Sequence, residues 1–201
     1  MTDSGVDSDK IGRPNQRQRT RKDLLEATAR LVREGRTPTL EEVAENALVS
    51  RATAYRYFTG IEPLLVEAAL DIAFPSEQVL GDSADPVERL IRAEEAVAAM
   101  VRVNAASLRA MLAHSVQRDP DSPLVRQNRR SPLIEAALAP ARGDFDPEAL
   151  KRLEAALALI VGTESMIVFT DVLEIDEDEA SRVKRWMIRA LVAAARRPPT
   201  D

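Results

Sequence analysis

The densest chemistry in the chain is cationic. Lys10, Arg13, Arg17, Arg19, Arg21 and Lys22 follow one another with no acid between them. Such an arm can condense on phosphates, because its cations release counterions from nucleic acid; a solubilising tail accounts for the run equally well. A second set lies between Thr39 and Phe58, where Arg51, Thr53, Tyr55, Arg56 and Tyr57 bring guanidiniums, hydroxyls and rings together over two helical turns. These groups suit phosphate oxygens and base edges. Bond-making chemistry lacks its parts. With no cysteine and one histidine, thiolate nucleophiles, disulfides, cysteine-ligated metals and a Ser-His-Asp triad have nothing to be built from. The seven glycines form no phosphate cradle. The expectation is a binding protein rather than an enzyme, with no catalytic residue, no cofactor and no metal.

These groups sit in a chain of 201 residues, 45% of them hydrophobic and with a net charge of −5. That is one domain or two small ones, with a real core, and it excludes a disordered polyelectrolyte. Residues 1–60 hold 11 cations and 9 anions, whereas 61–201 hold 17 and 24. An acidic remainder argues against coating nucleic acid with the whole surface and allows a local footprint. The polar N-terminal stretch carries no apolar leader. The most apolar span, 155–173, contains Glu164 and Asp171, so it reads as a doubly buried helix of a soluble, cytoplasmic protein without a membrane partner.

The elements that must hold these residues are helical. Alanine, leucine, arginine and glutamate dominate, and no stretch alternates convincingly with period 2. Thr39 with Glu42, Asp85 with Glu88 and Asp176 with Glu179 make capping-box patterns; Asp146–Pro147 and Ser122–Pro123 place a cap before a proline. Helices are expected at about 20–34, 39–46, 50–57, 62–80, 85–117, 123–139, 147–173 and 177–196, with a bend near Asn104 and an interruption at Pro132. Three segments follow: a disordered basic arm over 1–18, a unit of short helices over 19–61, and a larger helical unit over 62–201.

Between Thr39 and Phe58 the pattern is that of two short helices joined by a tight turn. Leu40, Val43, Ala44 and Ala47 form an inner face, with Ala44 small enough for the backbones to cross. Val49 and Ala54 face them, Ser50 caps the second helix, and Phe58 turns to the core. The second helix of such a pair can enter the DNA major groove.

The string TLEEVAENALVSRATAYRYF followed by EPLL, with Leu24, Leu25, Ala27, Ala29, Leu31 and Val32 before Gly35, resembles the DNA-binding segment of the TetR family of bacterial one-component repressors. The match covers roughly the first third of the chain; residues 156–195 resemble the last two helices of many members more weakly. The resemblance implies an all-α fold of about nine helices, a three-helix bundle with a helix-turn-helix followed by a ligand-binding and dimerisation domain. It implies that Thr39, Tyr55 and Tyr57 contact phosphates, that Arg51, Ala52 and Thr53 meet base edges beyond the Ser50 cap, and that Arg56 reaches a phosphate or a guanine. Arg17 and Arg19 of the arm add phosphate contacts. In two places the sequence departs from the family. The usual turn glycine is Leu48, and a lysine common after the aromatic pair is Ile61. A left-handed backbone at Leu48 costs on the order of 1 kcal/mol.

By the same resemblance the last two helices pair with those of a second copy, through Leu157, Glu164 and Val168 on one and Val183, Trp186, Met187, Ala190, Leu191 and Ala194 on the other. That places Arg182, Lys184, Arg185 and Arg189 outside. A cavity in the larger unit would take a mostly apolar small-molecule effector. Candidates to line it are Phe74, Met100, Asn104, Leu108, Met111, His114, Met166 and Phe169, each of which also has the type and spacing of ordinary core. The implied function is ligand-responsive repression: a dimer holds two recognition helices about 34–36 Å apart on a palindromic operator, and the effector releases it. The helix over 62–80 would carry the motion. An effector-independent architectural DNA-binding protein, and an all-helical small-molecule-binding protein without a DNA role, are the other classes open to this sequence.

Overall fold

The computed structural model describes residues 8–116 and 128–196. Among them every regular element is helical, as the composition requires. The chain folds as two compact units, Met1–Ala73 with Leu112–Gln127, and Phe74–Met111 with Asn128–Asp201. The boundary falls after Ala73 rather than at 61, because the helix following the helix-turn-helix packs into the first unit's core.

The first unit is built from α1 (Ser8–Arg33), α2 (Leu40–Asn46), α3 (Arg51–Tyr57) and α4 (Ile61–Ala73). Residues 8–18, expected as a disordered arm, continue α1, in keeping with the high helix propensity of the Gln- and Arg-rich stretch before Thr20. Leu24, Leu25 and Leu31 of α1 meet Val43 and Ala44 of α2, Ala54 of α3, and Leu64 and Ala68 of α4 in one cluster. Helix α4 stops at Ala73, short of the expected 80. Pro75 disfavours helical backbone at Phe74, and only a 3-10 turn follows, over Glu77–Leu80.

Two helix ends in this unit share one geometry. After α1, Gly35 has φ 77°, its N–H donates to the Val32 carbonyl, and that of Arg36 to Leu31. After α2, Leu48 has φ 56°, its N–H donates to Glu45, and that of Val49 to Ala44. Both are Schellman closures, whose left-handed residue is ordinarily glycine. The tight turn has kept its geometry and placed leucine in it. Leu48 is 95% exposed, so its side chain returns no packing for the strain. Leu48→Gly is expected to stabilise the protein by about 1 kcal/mol, with Leu48→Ala near neutral because alanine keeps the strain. Urea midpoints of the three proteins would read this out.

The second unit contains α5 (Pro86–Val103), α6 (Ala105–Val116) as far as Met111, α7 (Arg130–Leu138), α8 (Pro147–Ile160), α9 (Thr163–Ile167) and α10 (Glu177–Ala195). Asp85, Asp146 and Asp176 cap α5, α8 and α10 through side-chain oxygens. Of the three capping boxes, only Thr39 and Glu42 close both halves; Glu88 bonds Ser83 instead. Helix α5 packs on α7 and α10, and α8 on the same two, around Leu90, Ile134, Leu157 and Ile188. The bend expected near Asn104 is an 86° break between α5 and α6. Pro132 does not interrupt its helix. It lies in the first turn of α7, where a proline removes no intrahelical bond. The Ser122–Pro123 cap lies outside the described residues.

The helix expected over 147–173 breaks at Val161 and Gly162, with a 49° bend; a π-helical turn at Val168–Val172 then continues α9. A Cβ on Gly162 would stand 2.6 Å from the Arg130 guanidinium, which bonds the Ala158 carbonyl at 2.7 Å and Glu164 at 3.1 Å. Arg130 thus caps the broken end of α8 through the space beside Gly162. Among the described residues no single helix is long and apolar enough to cross a membrane.

Candidate functional site

The polar face of α3 is assembled from its cap outward. Ser50 Oγ accepts the Thr53 N–H at 3.1 Å and shares a 2.8 Å bond with the Thr53 hydroxyl. The helix therefore starts at Arg51. Ala54, Tyr57 and Phe58 fall on one side by i, i+3, i+4 spacing and enter the core. Arg51, Ala52, Tyr55 and Arg56 are left exposed, with Thr53 half-buried. Tyr57 is thereby corrected. At 3% exposure its ring packs with Ala54 and Phe58, and Arg56 extends over it, 5.8 Å from the ring centroid. It presents no surface for a phosphate.

Acidic groups of α2 flank this face. The Tyr55 hydroxyl donates to Glu41 Oε1 at 2.7 Å. That bond holds the Glu41 carboxyl below the usual carboxylate range, with Arg51 as a lesser contributor, and raises the Tyr55 phenol above its ordinary value. Thr39 is also engaged: its Oγ1 accepts the Glu42 N–H at 3.2 Å, and its own N–H donates to Glu42 Oε2 at 2.8 Å. This backbone bond, ahead of the Arg36 charge, lowers the Glu42 carboxyl. Glu42 also pairs with Arg36 at 2.7 Å. Two hydroxyls expected to meet phosphate thus already serve carboxylates.

The sign of each shift sets a pH window. Glu41 is lowered in the fold, so the bond's contribution is complete above about pH 4.3, the free Glu value, and fades as pH falls through the native one. Tyr55 is raised, so its contribution holds below about pH 10 and fades as pH rises through the native value. Glu41→Gln is expected to bring Tyr55 ionisation back towards pH 10. Ultraviolet titration, with Tyr55→Phe to assign the signal, would measure it.

Of the basic arm, Arg17 and Arg19 are exposed on α1. Arg21 is not: it pairs with Glu67 of α4, and its guanidinium lies 4.5 Å from the Phe58 ring centroid.

The second unit holds a cavity of about 250 Å³. Of the expected lining residues, Met166 and Phe169 are there. Asn104 is at the α5–α6 break with its amide on the Met100 carbonyl. Leu108 is core, and Met100 and Met111 are half-buried away from the cavity. Phe74 lines a separate open depression beside Pro132. The His114 side chain lies outside the described residues. Charged residues that sequence reasoning passed over complete the lining: Glu94, Arg102, Arg109, Glu177 and Lys184. Arg109 bonds both carboxylate oxygens of Asp171, which lowers the Asp171 carboxyl and raises the guanidinium. Arg102 pairs with Glu177.

Helix α10 buries Ala180, Lys184, Ile188 and Val192. Lys184, expected outside, is inside because Glu94 of α5 meets it at 2.5 Å. The expected stripe lies away from this face: Trp186 is 67% exposed, Ala190 and Ala194 are exposed, and Val183, Met187 and Leu191 are half-buried. Val168 is exposed on the π-helical turn. One further expectation changes. Leu157 is wholly buried in the chain's own core and has no surface for a partner. Glu164 lies 2.8 Å from Arg130.

Compared with known protein families the chain matches none, and no curated protein matches it.

Proposed function

We propose that the chain is a sequence-specific DNA-binding regulator of the TetR type, a cytoplasmic homodimer acting as a ligand-responsive repressor. The observation that carries the reading is the division of α3. Its Ala54–Tyr57–Phe58 side is fixed in a four-helix core, while Arg51, Ala52, Thr53 and Arg56 are offered from its first two turns. A recognition helix needs this: rigid backing behind, and donors at the N-terminal end that reach base edges. Arg17 and Arg19 add cations for phosphates. The sequence resemblance over residues 24–65 supports the same assignment, and the cavity of the second unit offers the effector a site.

The test is fluorescence anisotropy on a duplex selected from a random library, against an unrelated duplex of equal length, over a salt series. Preference for the selected duplex that persists at physiological salt supports the reading. Equal, salt-driven binding to both, or none to either, overturns it.

The dimer rests on Val168, Trp186, Ala190 and Ala194, apolar groups on α10 and its neighbouring turn that the chain's own core leaves uncovered. A reader of palindromes requires two copies. Trp186→Glu is expected to convert the dimer to a monomer in sedimentation velocity and to weaken operator binding with it.

A further inference from the structure

The cavity of the second unit carries more than its size. Glu94 of α5 and Lys184 of α10 both line it, and they are 3% and 9% exposed. Lys184 Nζ donates to Glu94 Oε1 at 2.5 Å and lies 5.9 Å from the Phe169 ring centroid. An ammonium has three hydrogens to donate and a carboxylate two oxygens to accept. Among the described residues no further hydrogen bond engages either group, so a buried donor and a buried acceptor stand side by side with capacity left on the cavity wall. The rest of that wall is largely apolar, with Ala98, Val101, Ala105, Met166, Phe169 and Ile175.

We propose that this cavity binds a small neutral amphiphile, an apolar body ending in one hydroxyl group, with the hydroxyl accepting from Lys184 and donating to Glu94. This names the effector class of the regulator proposed above, and rests on that reading only for its regulatory consequence.

Neutrality follows from the charges around the cavity. Lys184 is matched by Glu94, Arg102 by Glu177, and Arg109 by Asp171. Among the described lining residues no cation is left over for an anionic ligand and no carboxylate for a cationic one. At the Glu94–Lys184 end of the cavity, where both side chains are nearly buried, an ionised ligand would bring an uncompensated charge out of water, at a cost its contacts do not return. A hydrocarbon would leave the donor and the acceptor unsatisfied. A hydroxyl answers both because it is donor and acceptor in one atom. Size follows from volume: a dry cavity of about 150 Å³ accommodates benzene, so one of about 250 Å³ takes roughly ten heavy atoms.

The experiment uses the full chain without DNA and three probes of one shape, 2-naphthol, naphthalene and 2-naphthoate, with affinities from isothermal titration. The expected order places 2-naphthol about tenfold or more ahead of both others. The double substitution Glu94→Leu with Lys184→Met removes both charges, and with them the donor and the acceptor, and strands neither partner. It is expected to bind naphthol and naphthalene within about twofold of each other. Naphthoate binding tightest, naphthol no better than naphthalene, an unchanged preference in the double variant, or no binding of any probe each overturns the proposal. The wild-type ranking decides alone if the double variant does not fold. A chain that ranks the probes as expected yet binds no duplex keeps this site and loses the regulator; the reverse result removes this site only.

Discussion

Glu67→Ala is expected to destabilise the first unit by about 3–5 kcal/mol, the largest single effect in it. Glu67 is on α4 and Arg21 on α1, with side-chain exposures of 8% and 11%. Arg21 Nε donates to Glu67 Oε1 at 3.0 Å, and its Nη2 meets the other oxygen, so the pair is bidentate. The guanidinium also lies on Phe58, the residue that closes α3. Removing the carboxylate takes from a buried cation the bidentate partner it has on α4. Replacing both partners, Arg21→Met with Glu67→Leu, removes the buried pair together and is expected to cost clearly less than the single change. Urea denaturation followed by circular dichroism would give both values. A cost under about 1 kcal/mol for the single change would mean that water reaches the pair. Arg21 belongs to the run of cations that opens the chain, yet its role is to lock α1 to α4. Its loss would weaken the proposed DNA binding through the fold.

Local signals were the legible ones. The Thr39–Glu42 box was readable because both of its bonds span three residues. The left-handed turn at Leu48 was readable as a position, against the residue that occupies it. Tyr57 was readable too: Ala54, Tyr57 and Phe58 share one helical face, and periodicity alone puts its ring in the core. The family resemblance pointed the other way, and the packing follows periodicity. What stayed hidden depends on partners far apart in the chain. Lys184 reads as a solvated charge until Glu94, 90 residues away, is brought beside it. The break at Gly162 shows no proline. Arg130, from another helix, caps the end of α8 beside it. The Glu41–Tyr55 bond joins two helices over 14 residues, and a charge at the start of α2 gave no sign of it. Outer stripes were hard to separate from inner ones for the same reason. On α10 the largest apolar residue, Trp186, lies outside, and the inner row is completed by a neutralised lysine.

Arg51→Ala is expected to weaken binding to the selected duplex by about 10- to 100-fold, the value of one good base-edge contact, while hardly changing the melting temperature. Arg51 is the first residue of α3, exposed and without a packing role. It also lies near enough to Glu41 to help keep that carboxyl ionised. Its removal therefore does two things: it deletes the donor proposed for base edges, and it leaves the Glu41 carboxylate less neutralised on the face proposed to meet phosphates. The second part predicts a coupling. In an Arg51→Ala background, Glu41→Gln should restore about three- to fivefold of the lost affinity at low salt, the scale of one unscreened charge across about 4 Å of water, and less as salt rises. Arg17→Ala supplies the contrast. It should weaken both duplexes alike and lower the salt slope by about one. A loss with Arg51→Ala that is the same on the unrelated duplex would assign Arg51 to phosphate and move sequence reading elsewhere on α3. No loss on either duplex would mean that this face does not meet DNA, and the function would have to be sought in the helical cavity alone.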